Sequence, residues 1–178
     1  CEGFAYQGEE SRFNGVRRGE PSSQLPLTSF ISFLQNHDQV GNRALGERLS
    51  RLAQPARLRA TTLAWLLAPA RPMLFMGEEF AAATPFQFFC DFGPELAKAV
   101  TEGRRREFSR FEEFAKGQAT DAIPDPNDPA TFERSKLDWS SLARREHQEW
   151  LVFYKAMLTL RREHVVPRLE GMQGNSGR

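Results

Sequence analysis

The chain has 178 residues, 40% of them hydrophobic and 26% charged, with 24 Lys and Arg against 23 Asp and Glu. That composition excludes a disordered chain and fits a folded one, which at this length can bury roughly 70% of its unfolded-state surface. A net charge of +1 gives no footing for a nucleic-acid or membrane partner, and "LAWLLAPA" falls far short of the roughly 20 apolar residues a membrane helix needs.

Cys1 and Cys90 form neither a disulfide framework nor a metal-ligand set and read as reduced thiols of a cytoplasmic protein. No secretory pattern opens the chain. It starts with Cys1 and not Met, so a piece of a longer polypeptide is expected.

Residues 1–29, rich in Gly, Ser, Pro and charge, read as loop. "FISFL" follows, a short apolar run without alternation, as expected of a strand covered on both faces of a parallel sheet. Pro55 then starts a helix over "ARLRATTLAWLLA", where Leu58, Thr62, Leu63, Leu66 and Leu67 recur at helical spacing and Pro69 stops it. "MLFM" is a second strand, closed by Gly77, Glu78 and Glu79. Strand, helix and strand within about 40 residues make a βαβ unit, so the class is α/β with parallel strands and a right-handed crossover.

A helix is expected from Pro94 with Leu96, Val100, Phe108, Phe111 and Phe114 on its apolar stripe; Gly103 weakens its middle. On it, Arg104 to Arg106 lie beside Glu102 and Glu107 and read as a solvated face. "TDAIPDPNDPA" is a loop, and Asp128 with Pro129 caps a short helix, "ATFERSKL". "REHQEWLVFYKAMLTLRRE" is the last long helix. Trp150, Phe153, Tyr154, Met157 and Leu158 line one face, and Arg161 and Arg162 sit at the end where the helix dipole favours cations. Residues 167–178 read as a linker or the start of a further domain.

Ligands of parallel α/β folds sit at the carboxyl ends of the strands. His37 and Asp38 follow the first strand there, and Glu78 and Glu79 the second. The plain alternative is that Asn36, Asp38 and Gly41 turn the chain and the Glu pair is solvated. Phe80, Phe86, Phe88 and Phe89 are either core or a ligand-stacking surface. The triplet Asp91-Phe92-Gly93 lacks the other parts of a kinase site. His147 and His164 are too far apart for a metal site, which leaves no metal expected.

"FLQNHDQVGNR" resembles the short region that ends the seventh barrel strand in the α-amylase family of glycoside hydrolases, and "PMLFMGEEF" resembles that family's eighth strand. Over nearly the whole chain, "GFAYQGE", "FLQNHDQVGNR", "GRRREF" and "LDWSSLARREHQEWLVFYKAMLTLRRE" are similar, in order, to the branch of the family that releases trehalose. The glycogen-branching enzymes share the Asn-His-Asp and Gly-x-Glu landmarks and are the alternative.

The resemblance implies the C-terminal quarter of a (β/α)8 barrel over residues 1–166, with strands seven and eight and their helices, incomplete alone. Its partner would be the rest of the catalytic barrel, upstream of Cys1. Asp38 is implied to stabilise the transition state and His37 to hydrogen-bond sugar hydroxyls, with Gln39, Val40, Gly41 and Asn42 extending the substrate-facing loop. The nucleophile and the acid/base match nothing in this chain. The implied reaction is hydrolysis of the α-1,4 bond beside the terminal trehalose of a trehalose-capped glucan, with no cofactor. Taken alone, the chain is expected to be a non-catalytic fragment.

Overall fold

The computed structural model describes residues 6–109, 122–169 and 171–172. Part of the N-terminal segment read as loop is a hairpin. β1 (Gln7–Glu10) pairs antiparallel with β2 (Arg17–Gly19), with Gln7 opposite Gly19. Its strands are too short and polar to show alternation. The turn was legible, however: Asn14-Gly15 is a strong hairpin signal, and Gly15 has φ +66°. Bonds from Ser11 N–H to Val16 O and from Gly15 N–H to Ser11 O, both 2.9 Å, close it.

β3 (Ile31–Ser32) and β4 (Arg71–Pro72) pair parallel, as the βαβ reading requires. The Arg71 and Met73 N–H groups donate to Phe30 O and Ser32 O at 3.0 and 2.8 Å. β4 lies just before "MLFM" and not within it, because only these residues find a ladder partner; Pro72 has no N–H to give. Within this chain the two faces are not both covered: Ile31 is 63% exposed, and Met73, Leu74 and Met76 are exposed too.

By its contacts the chain divides into two units: Cys1–Leu34 with Ala60–Met73 and Phe153–Arg178, and Gln35–Arg59 with Leu74–Val152. In the first, Trp65, Leu66, Tyr154 and Leu169 are buried. Trp65 Nε1–H donates to Ser32 Oγ at 3.0 Å. α1 and α2 lie in the second unit, at His37–Gly41 and Leu49–Leu52. α3 (Pro55–Leu66) has Thr62, Trp65 and Leu66 as its buried positions, while Leu63, assigned to the stripe, is exposed. The bulkier indole takes the inner place two residues on.

In the second unit Val40, Phe80, Ala82, Phe108 and Ile123 are buried. α4 (Pro94–Phe108) starts at Pro94 as expected. Leu96 is exposed, and Phe111 and Phe114 lie outside the described residues. α5 (Pro129–Ser135) is capped as read, with Asp128 Oδ1 accepting from Ala130 N–H at 2.9 Å. α6 (Arg145–Leu160) runs through a wider turn, Arg161–Val165, into α7 (Val166–Leu169). The helical path therefore passes Pro167, because the wider turn relieves the clash a proline ring makes with the carbonyl one turn back. Arg161 does not serve its own helix end in solvent. It is buried and donates to the carbonyl of Leu66, at the end of α3, and to those of Ala68 and Ala70 just beyond it.

Candidate active site

The chain leaves β3 and turns at Asn36, whose backbone is extended (φ −143°, ψ 179°). Asn36 Oδ1 accepts from Gln39 N–H at 2.9 Å, so Asn36 is the N-cap of α1. Turn chemistry and site chemistry are thus divided among neighbours. Asn36 makes the turn, and the first helical turn presents the next two side chains. His37 and Asp38 are 70% and 69% exposed, with His37 Nε2 3.3 Å from Asp38 Oδ1. Gln39 and Asn42 are exposed as well, whereas Val40 and Gly41 are buried. Those two support the loop from behind and put no side chain on its open face.

Beneath α1 lies a polar cluster. Gln35 is buried and bonded at both ends of its amide: Oε1 accepts from Leu49 N–H at 3.1 Å, and Nε2 donates to Glu78 Oε2 at 3.2 Å. Leu49 N–H can only donate, which sets the orientation of the amide. Glu78 opens the tight turn Glu78–Phe80, entered through Gly77 at φ +86°, where an added Cβ would meet Leu137 at 2.6 Å. The solvated Glu pair expected here is corrected. Glu78 is only 6% exposed and Glu79 half-buried. Arg48, also buried, donates from Nε to Thr84 O at 2.6 Å and from Nη1 to Met76 O at 2.7 Å, and its guanidinium lies over the Phe75 ring. It therefore ties down the segment that carries Glu78 without bonding to the carboxylate itself.

Burial pushes the Glu78 carboxyl up to about 7, against the opposing pull of the Gln35 bond and, more weakly, of the Arg48 charge. The folded state therefore binds this proton more tightly than the unfolded state does. Its contribution is fully present below the ordinary value of 4.5 and is lost as pH rises to about 7. At about 1.4 kcal/mol per unit this is on the order of 3 kcal/mol at most. Urea unfolding at pH 4.5 and 8 should show Glu78→Gln gaining stability on the wild type at the higher pH by an amount of that order. A constant difference between the two would show that Glu78 does not titrate in this window.

The other support is Arg104, assigned by sequence to a solvated face and in fact 8% exposed. Nη2 donates to Gly41 O at 3.1 Å and Arg43 O at 3.2 Å, and Nη1 to Asn42 Oδ1 at 3.4 Å. Its guanidinium lies over the rings of Phe88 and Phe108, 4.9 Å from each centroid. Arg104 thus takes up carbonyls at the end of α1 that the helix cannot satisfy. Gly46, with φ +69°, lets the next loop approach Phe86 so closely that an added Cβ would stand 2.5 Å from Phe86 O.

Of the aromatic cluster, Phe80 is core and Phe88 lies under Arg104. Phe86 packs edge-on against Phe75 and Phe89, and Phe89 against Phe132. Cys90 is a free thiol whose pKa burial pushes up, the opposite of an activated nucleophile. His147 is buried with Nδ1 2.7 Å from Phe80 O. Among the described residues no three His, Cys, Asp or Glu side chains could hold a metal, and no helix is long and apolar enough to cross a membrane.

Gln35, Arg48 and Arg104 were missed by reading along the chain. The signal for Gln35 was its place beside Asn36. Arg104 had none, since its partners lie about 60 residues away.

No protein-family model matches the chain. It is 45% identical over 166 residues to the malto-oligosyltrehalose trehalohydrolase of Brevibacterium helvolum. Identity is 43% over 166 residues to that of Deinococcus radiodurans and 38% over 162 residues to that of Saccharolobus solfataricus. These matches take in 90% to 92% of this chain but 26% to 27% of the relatives, so the chain spans about a quarter of their length. A crystal structure of a Salmonella typhimurium protein described as an alpha amylase matches with a TM-score of 0.88 and 47% identity, over 99% of this chain and 29% of that one. In sequence and fold the chain is a partial match to this group of glycoside hydrolases.

Proposed function

We propose that this chain, matching about a quarter of the malto-oligosyltrehalose trehalohydrolases, is the C-terminal quarter of such an enzyme's catalytic (β/α)8 barrel. It supplies strands seven and eight with their helices, and the rest of the barrel, upstream of Cys1, is its partner. The observation that carries the reading is the pair His37 and Asp38, adjacent and open on the first turn after β3, within a stretch alike to those enzymes.

The substrate is an α-1,4-glucan capped by trehalose. Water adds across the α-1,4 bond beside the cap, releasing trehalose and a maltooligosaccharide. Retaining glycosidases pass through an oxocarbenium-like state. The Asp38 carboxylate grips ring hydroxyls as the ring flattens, so its hold is stronger in the transition state than in the ground state. His37 donates a hydrogen bond to a neighbouring hydroxyl, which it can do charged or neutral. Gln39 and Asn42, exposed as well, extend the same loop. The nucleophile and the acid/base come from barrel strands outside this chain. The chemistry calls for no cofactor, and the proposed location is the cytoplasm.

The test is to incubate the full-length enzyme that carries this chain with trehalose-capped maltooligosaccharide and to measure released trehalose. New α-1,6 linkages without trehalose would assign a glycogen-branching enzyme instead. The 178-residue chain assayed alone should release none, since two strands cannot close a barrel of about 250 residues. Hydrolysis by that piece would overturn the assignment of nucleophile and acid/base to other strands.

A further inference from the structure

Gln35 and Glu78 stand next to the proposed site without touching its open side. Gln35 directly precedes the N-cap Asn36, so the peptide plane joining them sets the direction in which α1 leaves. Its side chain is held at both ends of the amide, by Leu49 N–H and by Glu78 Oε2, from points 14 and 43 residues along the chain. Turning the amide over would set NH2 against N–H and oxygen against carboxylate. A single orientation survives.

Glu78 is itself held rigidly. Its N–H donates to Phe75 O at 3.0 Å, and Ala81 and Ala82 N–H close the turn onto Glu78 O and Gly77 O at 3.0 and 2.8 Å. Ala81 carries a left-handed backbone (φ +52°) that a non-glycine residue adopts at a cost. Arg48 clamps the carbonyls of Met76 and Thr84 on either side.

This arrangement is costly for stability. Glu78 Oε1 and Arg48 Nη2 are buried with no hydrogen-bond partner among the described residues, and well-packed apolar side chains of similar size often replace buried ionic groups without loss. A carboxylate adds what an apolar filler lacks, a directed acceptor for one amide proton. We infer that Glu78 is a positioning residue that acts through Gln35 to aim the turn carrying Asn36, His37 and Asp38. The inference rests on the role proposed above for Asp38.

The test compares Gln35→Ala, Glu78→Ala, the double variant and Glu78→Gln in the full-length enzyme. Each alanine variant should lower kcat by about 10- to 100-fold, the cost of a displaced reacting geometry, and the double should lower it no further. KM should stay within about threefold. Glu78→Gln keeps an acceptor oxygen facing Gln35 Nε2 and should recover most of the lost kcat, which a merely structural role would not produce.

Amide hydrogen exchange gives a readout independent of substrate. Exchange in peptides covering residues 36–43 should rise in the alanine variants, with α5 unchanged. Wild-type kcat and exchange in Glu78→Ala would overturn the inference, as would additive losses in the double variant. If Glu78→Ala does not fold, Gln35→Ala against Glu78→Gln decides by the same criteria. Linked exchange in an enzyme that releases no trehalose would reject the proposed reaction and leave the positioning intact.

Discussion

Asp38→Asn in the full-length enzyme should lower kcat for trehalose release by about 10²–10³-fold, the usual loss when one preorganised electrostatic contact is removed. The substitution keeps shape and removes charge. Asp38 is 69% exposed, and its backbone carbonyl still accepts from Asn42 N–H at 3.0 Å in the variant. Its contribution to stability is therefore that of an exposed acid in a first helical turn, about 0.3–1 kcal/mol. The expected signature is a fall in kcat and kcat/KM together, with a melting temperature close to that of the wild type. A transition-state contact has that signature, because the hold strengthens as the sugar gains positive charge. Near-normal kcat in Asp38→Asn would remove Asp38 from the reaction.

Arg104→Leu should have the largest effect on stability, about 3–4 kcal/mol. The change strips donors from the buried Gly41 carbonyl and the part-buried Arg43 carbonyl and removes a cation from the Phe88 and Phe108 rings. Urea unfolding should show a lower midpoint at unchanged slope. Because the orphaned carbonyls belong to the end of α1, kcat should fall as well. Arg104→Lys should recover little, since a compact ammonium cannot donate to two carbonyls as a fork and also cover two rings. Wild-type stability in the lysine variant would show that charge alone, and not the geometry of the guanidinium, serves this position.

These two residues mark the range of what can be read along a chain. Asp38 is visible because its neighbours are local: an apolar strand before it, a capping Asn beside it, and a motif contained in eleven consecutive residues. Arg104 sits in a basic run on a helix, and every local rule places such a run in water. Its burial is decided by carbonyls about 60 residues away that need a donor. Glu78 follows the same logic. As one of two acids after a strand it reads as solvated, until a left-handed Gly77 turns it inward onto Gln35.

By itself the sequence determined the local grammar: the parallel strand pair around a helix, the Asp128 and Pro129 cap, and the order of motifs that leads to the glycoside hydrolases. Each depends on contacts within a few residues or on periodicity along one element. Tertiary structure alone decided the turning of α3 onto Trp65 and the burial of Arg48, Glu78, Arg104 and Arg161. All of these are settled by which distant carbonyl, amide or ring is left without a partner, and spacing along the chain carries no record of that need.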